Sequence, residues 1–248
     1  ISTACTSGAR SLVSVVRFLK LGLCDAVLCG GVDSLSLLTI NGFASLEVVS
    51  GRVVRPFAAD REGINIGEAA AVFLMTRVPM PGFPEGEPIG LLGYGASSDA
   101  WHMSSPRPDG EGAMQAIQAA LQGAGLSAGD LGWINLHGTG TAQNDAMESL
   151  AVVQTLGADV PGTSTKPHTG HTLGAAGALE AAIVWGLVSR QLNPSGALPA
   201  QGNERDPSLA PLRLTRSGDR WPSGRRLGLS TSFAFGGNNM ALIMGDTA

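Results

Sequence analysis

The 248-residue sequence has few charged residues and no long apolar run, and both shortages exclude classes of protein. Charged residues make up 15% of the chain and the formal net charge is −4. Its 16 Lys and Arg therefore cannot form the broad basic face of a nucleic-acid-binding protein. The longest apolar candidate, residues 173–192, is interrupted by Glu180 and does not reach the roughly 18 residues of a membrane helix. We therefore expect neither nucleic acid nor membrane as a partner.

Cysteine is also scarce, since the chain contains only Cys5, Cys24 and Cys29. Three cysteines cannot all pair with one another, and the sequence shows no secretory signal. We therefore expect reduced thiols and a cytoplasmic location. The spacing from Cys24 to Cys29 lacks the CxxC form of a zinc site. The sequence therefore predicts no metal site, and Cys24 and Cys29 are interpreted as structural.

Hydrophobic residues (44%) and 35 glycines are abundant, which predicts a buried core of small side chains and many tight turns. Apolar runs and helical periodicity alternate along the chain, and this alternation is typical of a layered α/β fold. Four prolines within residues 79–88 predict a connector, so we expect one unit at 1–80 and another at 81–248. Predicted helices are 7–23, 110–124, 143–156 and 172–191. Predicted strands are 26–29, 68–75, 89–95, 132–136, 161–165, 226–233 and 239–244, the first two as buried strands and 26–29 as a parallel one.

Cys5 is the first candidate for chemistry, because a turn of small residues places it at the start of a predicted helix. Backbone N–H groups and the positive end of the helix dipole would then face its sulfur and lower the pKa of the thiol. A small buried hydrophobic residue is the alternative interpretation of this cysteine.

Two of the four histidines, His137 and His171, lie in turns rich in Gly and Thr. His137 follows a predicted strand, and in α/β sheets ligands gather at the carboxyl ends of strands. Small neighbours leave space for a ligand beside each ring, although either could be a hydrogen-bonded structural histidine. His102 and His168 are interpreted as structural or exposed.

Five motifs occur in an order that resembles the β-ketoacyl synthases of the thiolase superfamily, most closely the elongating type II condensing enzymes. They are Thr3-Ala-Cys-Thr-Ser-Gly8, His137-Gly-Thr-Gly-Thr141, Ser164-Thr-Lys166 with Gly170-His171, Gly174-Ala-Ala-Gly177 and Ser232-Phe-Ala-Phe-Gly-Gly237. The resemblance runs over nearly all of the chain. It implies a thiolase-like αβαβα fold, with an incomplete first half and a complete second half, because members of the family are longer on the N-terminal side.

The resemblance implies a Cys-His-His site for decarboxylative condensation. Cys5 would accept an acyl group from acyl carrier protein, and His137 and His171 would stabilise the enolate formed when malonyl-carrier loses its carboxylate. Backbone N–H groups of Cys5 and Phe235 would bind the oxyanion. No metal or redox cofactor is implied, because the substrate arrives on the phosphopantetheine arm of the carrier.

The same resemblance assigns supporting roles. Lys166 would set the electrostatics near His171, with Glu180 as its partner, and Phe235 would gate the cysteine. The remaining positions fall into two groups: Thr139, Thr141, Phe233 and Gly236 would contact the substrate, and Asp145 and Glu148 would organise the His137 loop. Ala234 departs from the glycine usual between the two phenylalanines.

Two other functions stay open alongside condensation. Without the missing N-terminal walls, water could reach an acyl-Cys5, which would make the chain an esterase or thioesterase. The chain could also be an inactive scaffold subunit. Homodimers are usual for the family, so we expect a homodimer.

Overall fold

The computed structural model describes residues 1–77 and 88–247, in which two β-sheets alternate with layers of helices. The predicted connector and the boundary at residue 80 lie outside these residues, apart from Pro88. The helices are α1 (Ser7–Lys20), α2 (Leu37–Ser45), α3 (Glu111–Ala124), α4 (Ala142–Leu156), α5 (Lys166–Thr169) and α6 (Ala176–Val188). The strands are β1 (Ala26–Asp33), β2 (Ala69–Thr76), β3 (Ile89–Ser98), β4 (Trp133–Asn135), β5 (Gly162–Thr163), β6 (Leu227–Phe233) and β7 (Asn238–Asp246).

The larger sheet has five strands in the order β3-β7-β6-β4-β5. Strand β4 runs parallel to β5 and β6, whereas β7 is antiparallel to β3 and β6. Residues of α3 and α4, such as Ile117 and Val152, form one apolar core with this sheet. Residues of α1 and α6, such as Leu12 and Val184, form a second core on it. The predicted layered α/β architecture is therefore confirmed.

Helices α1 and α6 form the central layer, where their backbones cross without intervening side chains. A β-carbon at Gly8 would lie 2.6 Å from the backbone N of Ala178, and one at Gly177 would lie 2.7 Å from the N of Ala9. Only glycine permits so close an approach. The contact fixes the N-terminal end of α1 against that of α6, and these are the ends that carry Cys5 and His171.

Strands β1 and β2 form a separate two-stranded sheet, and here two sequence predictions are wrong. The strands pair antiparallel, so β1 is not a parallel strand of a larger sheet. They are also only half buried: the inner face packs on the central helices, but Leu28 and Val32 on the outer face are 73% and 71% exposed. An apolar run predicts burial on both faces, yet within the described residues no element covers the outer one.

Among residues 1–77 and 88–247, no helix combines the length and the apolar character needed to cross a bilayer.

Candidate active site

Cys5 is held in a tight turn immediately before α1. Ala4 has a left-handed backbone (φ +51), which only glycine adopts without strain. Hydrogen bonds fix the turn, because the N–H of Thr3 donates to Oγ of Ser7 (2.9 Å) and that hydroxyl donates to the carbonyl of Ala4 (2.7 Å). The turn places the Cys5 side chain in a buried position.

His171 reaches Cys5 from the other half of the sequence. Its N–H donates to the carbonyl of Asn65 (2.6 Å), and its own carbonyl accepts from the N–H of Gly67 (3.0 Å). The predicted helix 172–191 begins only at Ala176, because residues 173–175 form a tight turn, and it ends at Val188. This arrangement brings Nε2 of His171 within 3.1 Å of Sγ of Cys5.

His137 follows β4, and the carboxylate of Glu148 holds its backbone. Oε1 of Glu148 accepts the N–H of His137 (2.8 Å), and Oε2 accepts the N–H of Gly138 (2.7 Å). The His137 ring lies 5.2 Å from the His171 ring, edge to face, and it lines the same cavity as Cys5. Three residues from remote stretches of sequence therefore meet in one buried site.

Lys166 and Glu180 form an ion pair inside the protein, as predicted. Nζ of Lys166 lies 2.5 Å from Oε1 of Glu180, and both side chains are at least 97% buried. The ammonium contacts His137 rather than His171: it donates to the His137 carbonyl and lies 3.4 Å from Nδ1 of that ring. Because an ammonium can only donate, this contact favours the tautomer of His137 that carries its hydrogen on Nε2.

The sequence prediction of a lowered thiol pKa is wrong. Burial raises the pKa of Cys5 to about 11, and this effect outweighs the opposing influences of the Lys166 charge and of the Phe235 N–H, which lower the pKa. The helix dipole acts on the sulfur, but removing a thiolate from water costs more. The resting nucleophile is therefore a neutral thiol.

Both imidazoles are neutral as well. Burial holds the pKa values of His137 and His171 well below their usual value, and the Lys166 charge lowers both further. A neutral imidazole offers one N–H donor and one acceptor, so each ring can donate a hydrogen bond to a substrate oxygen.

A cavity of about 440 Å³ opens over Cys5. One part of its wall is apolar and includes Phe43, Leu46 and Ile64, whereas another part carries the hydroxyls of Thr139 and Thr141. These two hydroxyl oxygens lie 3.0 Å apart. The cavity thus combines apolar surface suited to an acyl chain with polar surface suited to amide groups.

The loop 234–237 closes one side of the cavity. The backbone N–H of Phe235 is close enough to the sulfur of Cys5 to donate a hydrogen bond to it. Phe235 is 37% exposed, and its ring lies 5.7 Å from the Phe43 ring. Phe233 is buried 6.0 Å from the His137 ring. Gly236 has φ +81, and its N–H donates to the carbonyl of Met103 (2.7 Å). Ala234 has φ −111, so its methyl group fits the loop without strain.

Asp145 lies at the start of α4 and binds two separate backbones. Oδ1 accepts the N–H of Gly140 (3.1 Å), and Oδ2 accepts the N–H of Phe57 (2.7 Å). Burial raises the pKa values of Asp145 and Glu148 to about 6 and about 7. Both carboxylates contact the backbone of the His137 loop, and the family resemblance implied that Asp145 and Glu148 would organise this loop.

Phe43 and Phe57 also shape the site, although no role was predicted for either from the sequence. Phe43 lies in α2, where the local sequence does not show which apolar side chain would face the cavity. Phe57 follows Arg55-Pro56, and proline at this position is typical of a turn. A buried aromatic residue within such a turn is the signal that could have identified it.

The fold and the site define an α/β protein in which a buried thiol, two neutral imidazoles and a backbone N–H meet at one cavity, an arrangement that suits acyl transfer. Residues 1–79 match the β-ketoacyl synthase N-terminal domain, and residues 90–196 match the β-ketoacyl synthase C-terminal domain. The chain therefore belongs to the β-ketoacyl synthase family.

Curated relatives include 3-oxoacyl-[acyl-carrier-protein] synthase 2 of Synechocystis (33% identical over 97% of this chain) and of Rhizobium meliloti (35% over 98%). In both cases the chain spans 59% of the relative's length. A solved ketosynthase (ApeO) from Xenorhabdus doucetiae, in complex with its chain length factor (ApeC), is 48% identical. Its TM-score is 0.89, and the match covers all of this chain and 59% of that chain. The ishigamide ketosynthase/chain length factor matches with 32% identity and a TM-score of 0.87, covering 60% of that chain. The neighbours are ketosynthases, which confirms the predicted thiolase-like fold.

Proposed function

We propose that the protein is a condensing enzyme that joins an acyl group on Cys5 to a malonyl unit in fatty acid or polyketide synthesis. In the first step the sulfur attacks the acyl thioester, the Cys5 proton is lost, and the carrier thiol leaves with a proton. In the second step the malonyl unit loses CO₂, and its enolate attacks the acyl-Cys5 carbonyl. The new carbon–carbon bond forms as the Cys5 sulfur leaves and regains a proton.

The contact between Sγ of Cys5 and Nε2 of His171, 3.1 Å long, carries the proposal. Because thiol and imidazole are both neutral at rest, His171 can accept the thiol proton as the sulfur attacks, in the manner of other nucleophile–base pairs. Once Cys5 is acylated, Nε2 of His171 has no thiol proton to accept, so the ring can take the tautomer that carries its hydrogen on Nε2. In that form His171, together with His137, donates to the enolate oxygen as charge develops there. The Phe235 and Cys5 N–H groups bind the oxyanion of the attacked thioester.

The proposed substrates arrive on the phosphopantetheine arm of acyl carrier protein, and the chemistry needs no metal or redox cofactor. The hydroxyls of Thr139 and Thr141, together with the backbone of Gly236 and the ring of Phe233, offer contacts for the arm and the thioester. Two of the solved ketosynthases that this chain resembles occur together with a chain length factor. We therefore propose a dimer in which the second subunit is either a copy of this chain or a related ketosynthase-like chain. The three free thiols support a cytoplasmic location.

Intact-mass analysis after incubation with an acyl-carrier thioester tests the first step. We expect an acyl adduct in the wild type, its loss in Cys5→Ala, and its retention in the control Cys24→Ala. Release of CO₂ from malonyl-carrier tests the second step. We expect His137→Ala and His171→Ala to lower this rate at least about a hundred-fold, as when an oxyanion donor is removed. His168→Ala, which changes an exposed histidine, should leave the rate unchanged. Decarboxylation that survives both active-site substitutions would contradict the assignment.

Hydrolysis of acyl esters through the same sulfur is a second candidate, because the cavity over Cys5 is open to solvent on one side. Assaying a short-chain acyl ester beside malonyl-carrier decarboxylation distinguishes the two functions. Turnover of the ester without decarboxylation, abolished in Cys5→Ala, would assign a hydrolase. A Cys5 that iodoacetamide fails to modify even at pH 10 would assign an inactive scaffold.

A further inference from the structure

Phe57 belongs to the first stretch of sequence but lies in the core of the second. Its side chain is completely buried among residues of the five-stranded sheet, α3 and α4, including Ile117 and Leu136. Its backbone is left-handed (φ +63), a conformation that costs a β-carbon-bearing residue on the order of 1–3 kcal/mol. Such a conformation persists only where the surroundings enforce it, and at Phe57 they do so from three sides.

Residues of the second half of the chain hold the backbone around Phe57 by hydrogen bonds. Its N–H donates to Oδ2 of Asp145 (2.7 Å), and its carbonyl accepts the N–H of Asp206 (2.7 Å). The preceding carbonyl of Pro56 accepts from the side chain of Asn203 (3.0 Å). The strained backbone is therefore fixed to the same carboxylate that binds Gly140.

The ring of Phe57 packs directly against the loop that follows His137. A β-carbon at Gly138 would lie 2.9 Å from Cε2 of Phe57, so the ring and the Gly138 backbone are already in contact. Gly138 itself has φ +34. The neighbouring Gly63 adds a backbone bond, since its N–H donates to the carbonyl of Gly140 (2.9 Å). The His137 loop is thus held by Glu148 at one end, by Asp145 at the other and by the Phe57 ring between them.

We infer that Phe57 is a positioning residue that sets the orientation of the His137 imidazole toward the substrate. The ring blocks movement of the Gly138 backbone away from the cavity, and the bond from the Phe57 N–H holds Asp145 where it binds Gly140. His171 is fixed separately by Asn65 and Gly67, so Phe57 acts on one of the two histidines only. The chemical consequence rests on the proposed function, whereas the contact itself does not.

Two substitutions separate the parts of this contact. Phe57→Leu keeps apolar volume but loses the ring that touches Gly138. Phe57→Gly also loses the ring but adopts φ +63 without strain, so its backbone bonds to Asp145 and Asp206 are preserved. Ile117→Ala serves as the control, because it removes buried volume from the same apolar core but lies on α3.

We expect both Phe57 variants to lower malonyl decarboxylation about ten- to a hundred-fold, the effect of displacing a catalytic group by about 1 Å. Acylation of Cys5, which depends on His171, should change less than about two-fold. A merely structural role would lower both reactions in parallel, as we expect for Ile117→Ala, and that result for the Phe57 variants would overturn the inference.

A measurement that needs no turnover keeps the inference apart from the proposed function. The chain has only four histidines, so the ring ¹⁵N signals of a histidine-labelled sample can be assigned by single substitutions. In both Phe57 variants the His137 ring signals should shift, while those of His171 remain within the range seen for Ile117→Ala. Unshifted His137 signals in either folded variant would overturn the inference. If the His137 signals shift in the Phe57 variants but the wild-type protein shows no decarboxylation, the positioning role of Phe57 is supported and the proposed reaction is contradicted.

Discussion

Replacing Glu180 by Gln removes one charge from a buried ion pair and leaves its shape intact. Lys166 and Glu180 are 1% and 3% exposed, and Nζ and Oε1 lie 2.5 Å apart. In the variant the ammonium keeps the carbonyl and Nδ1 of His137 as acceptors, and the amide oxygen of the introduced glutamine can still accept from it, but no negative charge compensates it. Breaking a buried pair from one side typically costs about 3–5 kcal/mol, because the remaining charge is uncompensated. We expect at least about 3 kcal/mol, roughly a hundred-fold in the unfolding equilibrium.

Urea unfolding followed by circular dichroism measures this loss, and a double variant supplies the control. Lys166→Met with Glu180→Leu removes both charges and fills the space with apolar atoms, which is often nearly neutral for stability. The double variant should therefore be more stable than either single variant. A loss below about 1 kcal/mol in Glu180→Gln, at an unchanged slope against urea, would refute the view that the two charges compensate each other in a dry interior.

The same pair has opposite effects on the nucleophile, which gives a chemical check. The Lys166 charge lowers the pKa of Cys5, whereas the Glu180 charge raises it. At a fixed pH of 8, Glu180→Gln should therefore speed alkylation of Cys5 by iodoacetamide and Lys166→Met should slow it. Equal changes in the same direction would show that the substitutions act through altered packing rather than through charge.

Three further results are expected. Gly8→Ala should lower the free energy of unfolding, measured in urea, by about 1–3 kcal/mol, because the added methyl group meets the Ala178 backbone. Gly186→Ala on α6 is the control: no atom lies within 4 Å of the added carbon, so it should raise the free energy of unfolding by about 0.5–1 kcal/mol. Equal effects would contradict the close crossing of α1 and α6. Alkylation of Cys5, followed by peptide mass, should rise about ten-fold per pH unit from 7 toward its pKa of about 11, and a plateau near pH 8 would show a lowered pKa. The pKa of Glu148 is raised from 4.5 to about 7, so between these values the folded state binds a proton that the unfolded state has lost. The free energy of unfolding should therefore fall by up to about 3 kcal/mol as the pH rises from 4.5 to 7, and it should fall less in Glu148→Gln. Equal slopes in the two proteins would exclude Glu148 as the source.

The layered fold followed from local patterns in the sequence, whereas the meeting of Cys5, His137 and His171 was implied by the resemblance of five ordered motifs to the β-ketoacyl synthases. Apolar runs and helical periodicity predicted the strands and helices of the second half within a few residues, apart from α6, which is shorter than predicted, and the short α5, which was not predicted. Short motifs of small residues around Cys5 and His171 predicted turns at helix starts, and His137 was placed at the end of a strand, where ligands gather. These local patterns did not show that the three side chains would meet.

The exposure of one face of β1 and β2 could not be predicted, because an apolar run does not show which element will cover each face of a sheet. Their outward side chains, such as Leu28 and Val72, were predicted to be buried but are exposed. The role of Phe57 was hidden for a related reason. Its left-handed backbone and its contact with Gly138 arise from bonds to Asp145 and Asp206, which lie 88 or more positions away in the sequence.

The thiol pKa failed as a prediction because two opposing effects were weighed from local sequence alone. A helix start stabilises a thiolate by a small amount within its first turn, and this contribution is visible in the sequence. Desolvation depends on everything packed around the sulfur, and at Cys5 it is the larger effect. The same burial lowers the pKa of His171, so transfer of the thiol proton would create two poorly solvated charges 3.1 Å apart. Such a pair forms readily only when the sulfur is already bonding to carbon. In the proposed reaction such a site would hold Cys5 neutral until an acyl thioester enters, and the N–H groups of Phe235 and Cys5 would then bind the charge that develops on the substrate oxygen.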